Sequence, residues 1–313
     1  MKKEEFFFKG CDGKLISSYC WGAASDARAV VQISHGMAEH ALRYARFAEW
    51  LAGRGYAVYA DDHRGHGRTA GIPDEIGYIG KDGFNRIVED KHILTGIIRD
   101  KHPGLPVFLL GHSFGSFIAQ EYIERYGSEL AGVILSGSAM NDGLDVKAGM
   151  IIASVMKLFG EKKRNALLDG LMFGRFNARV ESPVGKFDWL SRDVKEVAAY
   201  QGDPLCGGVF TTNFFHELLK GFSGLYRKEK TAGIPKKLPV CIFSGDNDPV
   251  GGYGKRVLKL HRLYAGLGLE DLTLKLFKDG RHEMLNETNR GEVFEFLAAW
   301  LNSHVGAWLD SHV

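Results

Sequence analysis

Long hydrophobic runs are missing from this chain: no stretch of about 18 or more apolar residues occurs, so the sequence predicts no membrane-spanning helix. Cysteine is scarce as well, with four residues in 313. Cys11, Cys20, Cys206 and Cys241 show no paired spacing, which argues against a disulfide framework, and all four are expected as free thiols. Charge of one sign is not in excess either. A net charge of +2 leaves no basic stripe of the kind a dedicated nucleic-acid binder needs. The amino terminus Met1-Lys2-Lys3-Glu4-Glu5-Phe6-Phe7-Phe8 starts basic, but charges follow at once and its apolar run is too short for a signal peptide. A cytoplasmic protein is therefore expected. What is present is ordinary for a globular protein: 45% hydrophobic and 25% charged residues. A chain of 313 residues has room for one large α/β domain with an insertion.

Against that background one segment stands out. Gly111-His112-Ser113-Phe114-Gly115 follows the apolar run Val107-Phe108-Leu109-Leu110 and precedes the helix-like Ser116-Phe117-Ile118-Ala119-Gln120-Glu121-Tyr122-Ile123. A G-x-S-x-G between strand and helix reads as a nucleophile elbow, in which a tight turn holds the serine in a strained backbone conformation and needs small flanking residues. A serine hydroxyl is a poor nucleophile at neutral pH, so the elbow requires a histidine base and an orienting carboxylate. The run Val240-Cys241-Ile242-Phe243 ends in Ser244-Gly245-Asp246-Asn247-Asp248-Pro249-Val250, which places carboxylates at a strand end. Leu272 to Phe277 runs into Lys278-Asp279-Gly280-Arg281-His282-Glu283, which does the same for a histidine. The chain order Ser, Asp, His is that of the α/β-hydrolases. A third element follows the strand-like Ala29 to Ile33. There the loop Ser34-His35-Gly36-Met37-Ala38-Glu39-His40 sits where this fold supplies an oxyanion-hole amide, so the expected donors are the backbone N–H groups of Met37 and Phe114. No nearby cysteine or carboxylate set completes a metal site around His35 and His40, so both are expected to brace the loop and no metal is expected.

With these residues in hand, the chain resembles the monoacylglycerol lipase and lysophospholipase branch of the α/β-hydrolases, grouped with the serine aminopeptidase-like hydrolases. The resemblance rests on His35 to His40, Asp62 to Arg68, Gly111 to Ser116, Phe187 to Asp193, Asp203 to Cys206, Gly245 to Val250 and Gly280 to Glu287. It runs through nearly the whole chain, most convincingly outside residues 138 to 185. It implies that the acid is Asp248, with Asp246 a neighbour, and that the acyl group is fatty and the leaving group a glycerol or glycerophosphate. Met37 is bulkier than the residue many relatives carry, which bears on pocket shape more than on chemistry.

Strand and helix signals alternate as a mostly parallel sheet requires. Phe6 to Phe8 and Leu15 to Trp21 suggest a hairpin through Asp12-Gly13. Strands are expected at Ala29 to Ile33, Tyr56 to Ala60, Val107 to Leu110 and Gly132 to Ser136, with helices from about Arg43 to Arg54 and Phe84 to Asp100. The alternation then stops from Asn141 to about Gly208. The expected architecture is an α/β-hydrolase core in residues 1–137 and 211–313, a central sheet flanked by helices, with a mainly helical cap at 138–210 inserted after the sixth strand. Within that cap, Met150 to Phe159 leaves almost no polar face. A helix apolar nearly all round must be buried or meet another apolar phase. Either it packs into the cap's own core, or it covers an acyl tunnel and touches a membrane surface transiently, with Ile152 and Met156 facing substrate.

Two further features are decoys. Gly65-His66-Gly67-Arg68-Thr69-Ala70 has the outline of a dinucleotide fingerprint, but it leads into Gly71-Ile72-Pro73 and a second loop rather than a helix. The tail repeats itself, Ala299 to Val305 and Ala307 to Val313, and the second copy is expected to fray. The chemistry expected is acyl transfer through an acyl-enzyme on Ser113, with His282 as base, Asp248 as orienter and no cofactor. The substrate class is a small-molecule or lipid monoester. The alternatives are a broad carboxylesterase or an aminopeptidase-like amidase on the same triad, or a non-catalytic binding protein on the same fold.

Overall fold

The computed structural model of the chain describes residues 3–22 and 27–312. One sheet of eight strands runs in the order β1-β2-β4-β3-β5-β6-β7-β8. The strands are β1 Lys3–Lys9, β2 Leu15–Trp21, β3 Ala29–Ser34, β4 Tyr56–Asp61, β5 Val107–His112, β6 Gly132–Ser136, β7 Val240–Gly245 and β8 Leu272–Phe277. β1 and β2 form the antiparallel hairpin, β2 pairs antiparallel with β4, and every later pairing is parallel. The helices are α1 Ala45–Ala52, α2 Gly67–Ala70, α3 Gly83–Lys101, α4 Phe114–Tyr126, α5 Leu144–Lys157, α6 Ala166–Phe173, α7 Val194–Gly202, α8 Thr212–Gly224, α9 Lys228–Thr231, α10 Lys255–Gly266 and α11 Arg290–His312.

Strands β3 to β7 are buried at every position, which is why they read as unbroken apolar runs: a parallel sheet is covered on both faces. The period-2 alternation sorts their side chains into two cores. Val30, Val107, Leu109, Val133 and Ile242 pack with α3, α4 and α10 on one face. Val31, Phe108, Leu110, Ile134 and Phe243 pack with α1 and α11 on the other.

Two expectations need adjusting. The helix expected from Arg43 begins as a 3-10 turn over Ala41–Tyr44, becomes α-helical at Ala45 and ends at Ala52, before Gly53 and the positive-φ Gly55. The carboxyl-terminal repeat does not fray at Ala307: α11 continues to His312. Its apolar stripe explains this, since Leu301 and Val305 are buried and Trp308 packs against the same core at helical spacing. After β6 the chain leaves the sheet and carries α5 to α9 before returning at β7. The carboxyl ends of β3, β4, β5, β7 and β8 all lead into loops on one edge of the sheet, the edge where open α/β sheets bind ligands.

Candidate active site

Ser113 occupies the turn between β5 and α4 with φ 50° and ψ −118°, a region that costs a non-glycine residue about 1–3 kcal/mol. The surroundings hold it there. Its N–H donates to Ser136 O at 2.9 Å, and its own carbonyl accepts from Ser116 N–H at 2.8 Å and Ser116 Oγ at 2.6 Å. The flanking glycines are required by close backbone approach: a Cβ on Gly111 would meet the Gly115 carbonyl, and one on Gly115 would run into the carbonyl of Ser34 at the end of β3. The tight packing that forces the strain also welds β3, β5 and α4 together around the serine.

Asp248 and His282 come from the loops after β7 and β8. Gly245 lets these loops touch, since a Cβ there would collide with the Gly280 carbonyl. His282 Nδ1–H donates to Asp248 Oδ1 at 3.0 Å, while the other carboxylate oxygen accepts from Ser244 Oγ at 2.7 Å. The Val250 amide also donates to Oδ1 at 2.8 Å. Burial by itself pushes the Asp248 carboxyl up, but His282 and these donors outweigh it and hold it below the ordinary carboxylate value. Burial likewise opposes protonation of His282, and the Asp248 carboxylate reverses the balance, raising the imidazole above its ordinary 6.5. The ring lies against Trp189 and His112, with centroids 5.1 and 4.7 Å away. His112 stays neutral, its value pushed down to about 3 first by burial and then by the neighbouring His282. The structure thus brings Asp248, not Asp246, onto the histidine. Ser113 and His282 line one small cavity of about 60 Å³, together with Gly36, Met37 and Gly207.

The amides of Met37 and Phe114 have no acceptor among the described residues, as an oxyanion hole requires. The loop carrying Met37 is braced by a buried charge network that the sequence motifs did not single out. Glu39 accepts from the Gly36 amide, from Tyr44 Oη at 2.7 Å and from Arg43 at 2.6 Å. Arg43 then grips Glu283, the neighbour of His282, with two hydrogen bonds of 2.5 and 2.7 Å. Burial pushes both carboxyls up, and only at Glu283 does the Arg43 guanidinium win and bring the group down. One arginine therefore ties the loop carrying Met37 to the histidine loop. The signal available in the sequence was the i,i+4 pair Glu39 and Arg43 inside an otherwise apolar stretch. The segment Trp189 to Arg192 is fastened to the same histidine loop: Arg281 donates to the carbonyls of Asp188 and Ser191 at 2.7 and 3.0 Å, and the Glu283 amide donates to Leu190 O at 2.7 Å.

A second cavity of about 580 Å³ opens from the same place, lined by Met37, Ser113, Phe117, Val146, Leu218 and Phe222 among others. Ile152 and Met156, expected to face substrate, line neither cavity and are corrected on that point. The helix α5 turns Val146 and Gly149 toward the cavity instead. Ile152 is 39% exposed, and Met156 packs on the core with its sulfur accepting from Asn165 at 3.4 Å. The register of an all-apolar helix cannot be read from its sequence, because no polar face marks the outside.

His35 spends both ring nitrogens inside the protein, Nδ1–H on Gly36 O at 2.7 Å and Nε2 on the His63 amide at 2.9 Å. His40 differs from expectation: Asp203, its hydrogen-bond partner at 2.9 Å, and Cys206 arrive from the far segment and surround it. The glycine-rich Gly65 to Ala70 does open a helix, the one-turn α2, but Asp62 fills the anion seat, accepting from the amides of Arg68 at 2.8 Å and Ala41 at 2.9 Å.

Comparison with known proteins agrees with this geometry. The family model described as serine aminopeptidase, S33, matches residues 25–289. The chain is 32% identical to a monoacylglycerol lipase of Mycolicibacterium smegmatis, covering 97% of this chain and 98% of that protein. It is 28% identical to human monoglyceride lipase, covering 93% and 88% respectively. Among solved structures, a thermostable carboxyl esterase from Bacillus coagulans in complex with glycerol superposes with a TM-score of 0.89 at 28% identity, covering 97% and 99% of the two chains. The chain belongs to the serine aminopeptidase S33 family of α/β-hydrolases, and it is a carboxylic ester hydrolase.

Proposed function

We propose that the protein hydrolyses monoesters of fatty acids, monoacylglycerols foremost, through an acyl-enzyme on Ser113. The observation that carries this reading is the pair of cavities meeting at Ser113: a large, mostly apolar one suited to an acyl chain and a small one beside His282, lined by Glu39 and Glu283 as well as Phe187 and Trp189, suited to a glycerol-sized alcohol. His282 takes the Ser113 proton as Oγ attacks the ester carbonyl. Asp248 fixes the tautomer and stabilises the imidazolium, and the amides of Met37 and Phe114 receive the oxyanion. Collapse expels the alcohol, protonated by His282. Water, deprotonated by the same histidine, then releases the fatty acid. Each amide donor is worth about 2.7–4 kcal/mol of barrier in the best-measured case.

Residues 138–210 act in this reading as a cap that contributes Val146, Gly149, Leu168, Met172 and Phe176, among others, to the wall of the acyl cavity. The cap's exposed side chains include Leu144, Ile151, Val155, Leu158 and Phe159, with Leu158 at 83% and Phe159 at 73%. A ridge of this kind fits transient contact with a lipid surface, from which substrate enters. The test is hydrolysis of monoacylglycerols, lysophospholipids, short p-nitrophenyl esters and amino-acid anilides side by side. Monoacylglycerols should give the highest kcat/KM; a preference for anilides would refute the ester-lipid reading in favour of an amidase.

A further inference from the structure

We propose that His40, Asp203 and Cys206 form a zinc-binding site beside the oxyanion loop. The three ligand atoms lie within 4.8 Å of one another. Bonds of about 2.0–2.3 Å to one tetrahedral ion set ligand atoms roughly 3.5 Å apart, so a small rotation of the Cys206 side chain closes the set. The segment from Asp203 to Cys206 is already arranged for this. Asp203 Oδ1 accepts from the Leu205 amide at 2.9 Å and the Cys206 amide donates to Asp203 O at 3.0 Å, a turn that leaves Oδ2 to His40 and keeps the thiol near both. Cys206 Sγ has no hydrogen-bond partner among the described residues. Asp203 Oδ2 and His40 Nε2 are 2.9 Å apart. One imidazole, one thiolate and one carboxylate are a ligand set for zinc rather than for magnesium or calcium, and three protein ligands leave the fourth position to water. Binding breaks the Cys206 S–H bond and the Nε2–H bond that His40 donates to Asp203, forms Zn–S and Zn–N, and leaves the histidine as its Nδ1–H tautomer while the thiol proton goes to solvent.

The place gives the site a purpose. His40 ends the loop that carries Met37. The Gly207 amide, next to Cys206, donates to Ala38 O at 2.9 Å, and Tyr200 Oη donates to the same carbonyl at 2.9 Å. A metal would add coordinate bonds to this seam and clamp the 203–207 turn onto the oxyanion loop.

The 313-residue chain is stripped with chelator and titrated with Co²⁺, then with Zn²⁺ against a chromophoric competitor. One equivalent of Co²⁺ should produce a thiolate-to-cobalt charge-transfer band and tetrahedral d–d bands, and Zn²⁺ should displace it and raise Tm. Cys206→Ser should lose the band while keeping its hydrolysis of a short soluble ester in metal-free buffer. Loss of a group that merely orients a ligand costs about 10–100-fold in metal affinity, so loss of the thiolate should cost about a hundredfold or more. Asp203→Asn, which keeps the turn-capping oxygen, should weaken binding without unfolding the chain. Absence of the band, its persistence in Cys206→Ser, or equal Zn²⁺ affinity in both proteins would overturn the proposal.

Discussion

A serine hydroxyl does not ionise near neutral pH, so the reactivity proposed for Ser113 depends on what the imidazole of His282 can hold. The Asp248 carboxylate raises that imidazole above 6.5. Below the raised value the ring is protonated and cannot accept the serine proton; above it the base is free. The acid limb of kcat/KM should therefore lie above pH 6.5, and a pH profile on a soluble ester measures it. Replacing Asp248 by Asn removes the charge and should move the limb down. The same change should cost about ten-thousandfold in kcat, as loss of the corresponding carboxylate does in trypsin, because the imidazole loses its enforced tautomer. Asp246→Asn should cost far less. Its side chain does not meet the histidine, and one of its carboxylate oxygens is buried without a partner among the described residues. Equal losses at the two positions would contradict the geometry. At this scale Ser113 and His282 were legible because each sits at a strand end in a recognisable order, whereas the strand end after β7 offered both Asp246 and Asp248 and only the family resemblance pointed to Asp248. Arg43 was not, because its meaning lies in joining Glu39 to Glu283, 240 residues away from itself. Removing one member of a buried ion network costs about 3–5 kcal/mol, so Arg43→Met should lower stability by that order. Arg43→Lys should restore more of the stability than of kcat, since a single ammonium cannot grip Glu283 with two parallel bonds.

At the level of elements, α5 separates what periodicity can tell from what it cannot. The run from Met150 is helical as far as Lys157, and Leu158 and Phe159 form the turn that ends α5. Which side chains face inward was fixed by tertiary packing against α8, so Val146 and Gly149 face the cavity and Ile152 faces out. Gly149 is the informative position, since a Cβ there would already lie 3.3 Å from Leu219 in the cavity wall. Gly149→Leu should shorten the acyl cavity by about two methylenes, about 1.6 kcal/mol or roughly fifteenfold in kcat/KM for long-chain monoesters, while sparing butyrate. Ile152→Ser should leave the chain-length profile as it is in the unaltered protein. A chain-length series on both variants decides between this register and the one the sequence suggested. The terminal helix teaches the opposite lesson: its repeat looked dispensable, yet the spacing of Leu301, Val305 and Trp308 carries the core stripe onward.

Across the whole molecule, the sheet is a platform whose carboxyl edge collects loops from five strands, and the excursion after β6 roofs that edge. The alternation of strand and helix made this architecture readable, because parallel strands buried on both faces have no other way to look in a sequence. The packing of the roof was not readable, since its helices are apolar on more than one side and no polar face marks their register. If the exposed ridge meets a lipid surface, Leu158→Glu with Phe159→Glu should weaken vesicle binding more than about tenfold, one buried leucine or phenylalanine being worth about 1.5–3 kcal/mol. Hydrolysis of a soluble short ester should not change, and unaltered sedimentation with vesicles would refute the contact. All of this rests on Ser113 being the residue that carries the acyl group. The most direct test is to titrate the protein with a fluorophosphonate and map the adduct by mass spectrometry while following ester hydrolysis. One equivalent on Ser113, with activity lost in proportion and no labelling of Ser113→Ala, is the expected result. An adduct on another residue, or full activity in protein labelled at Ser113, would contradict it.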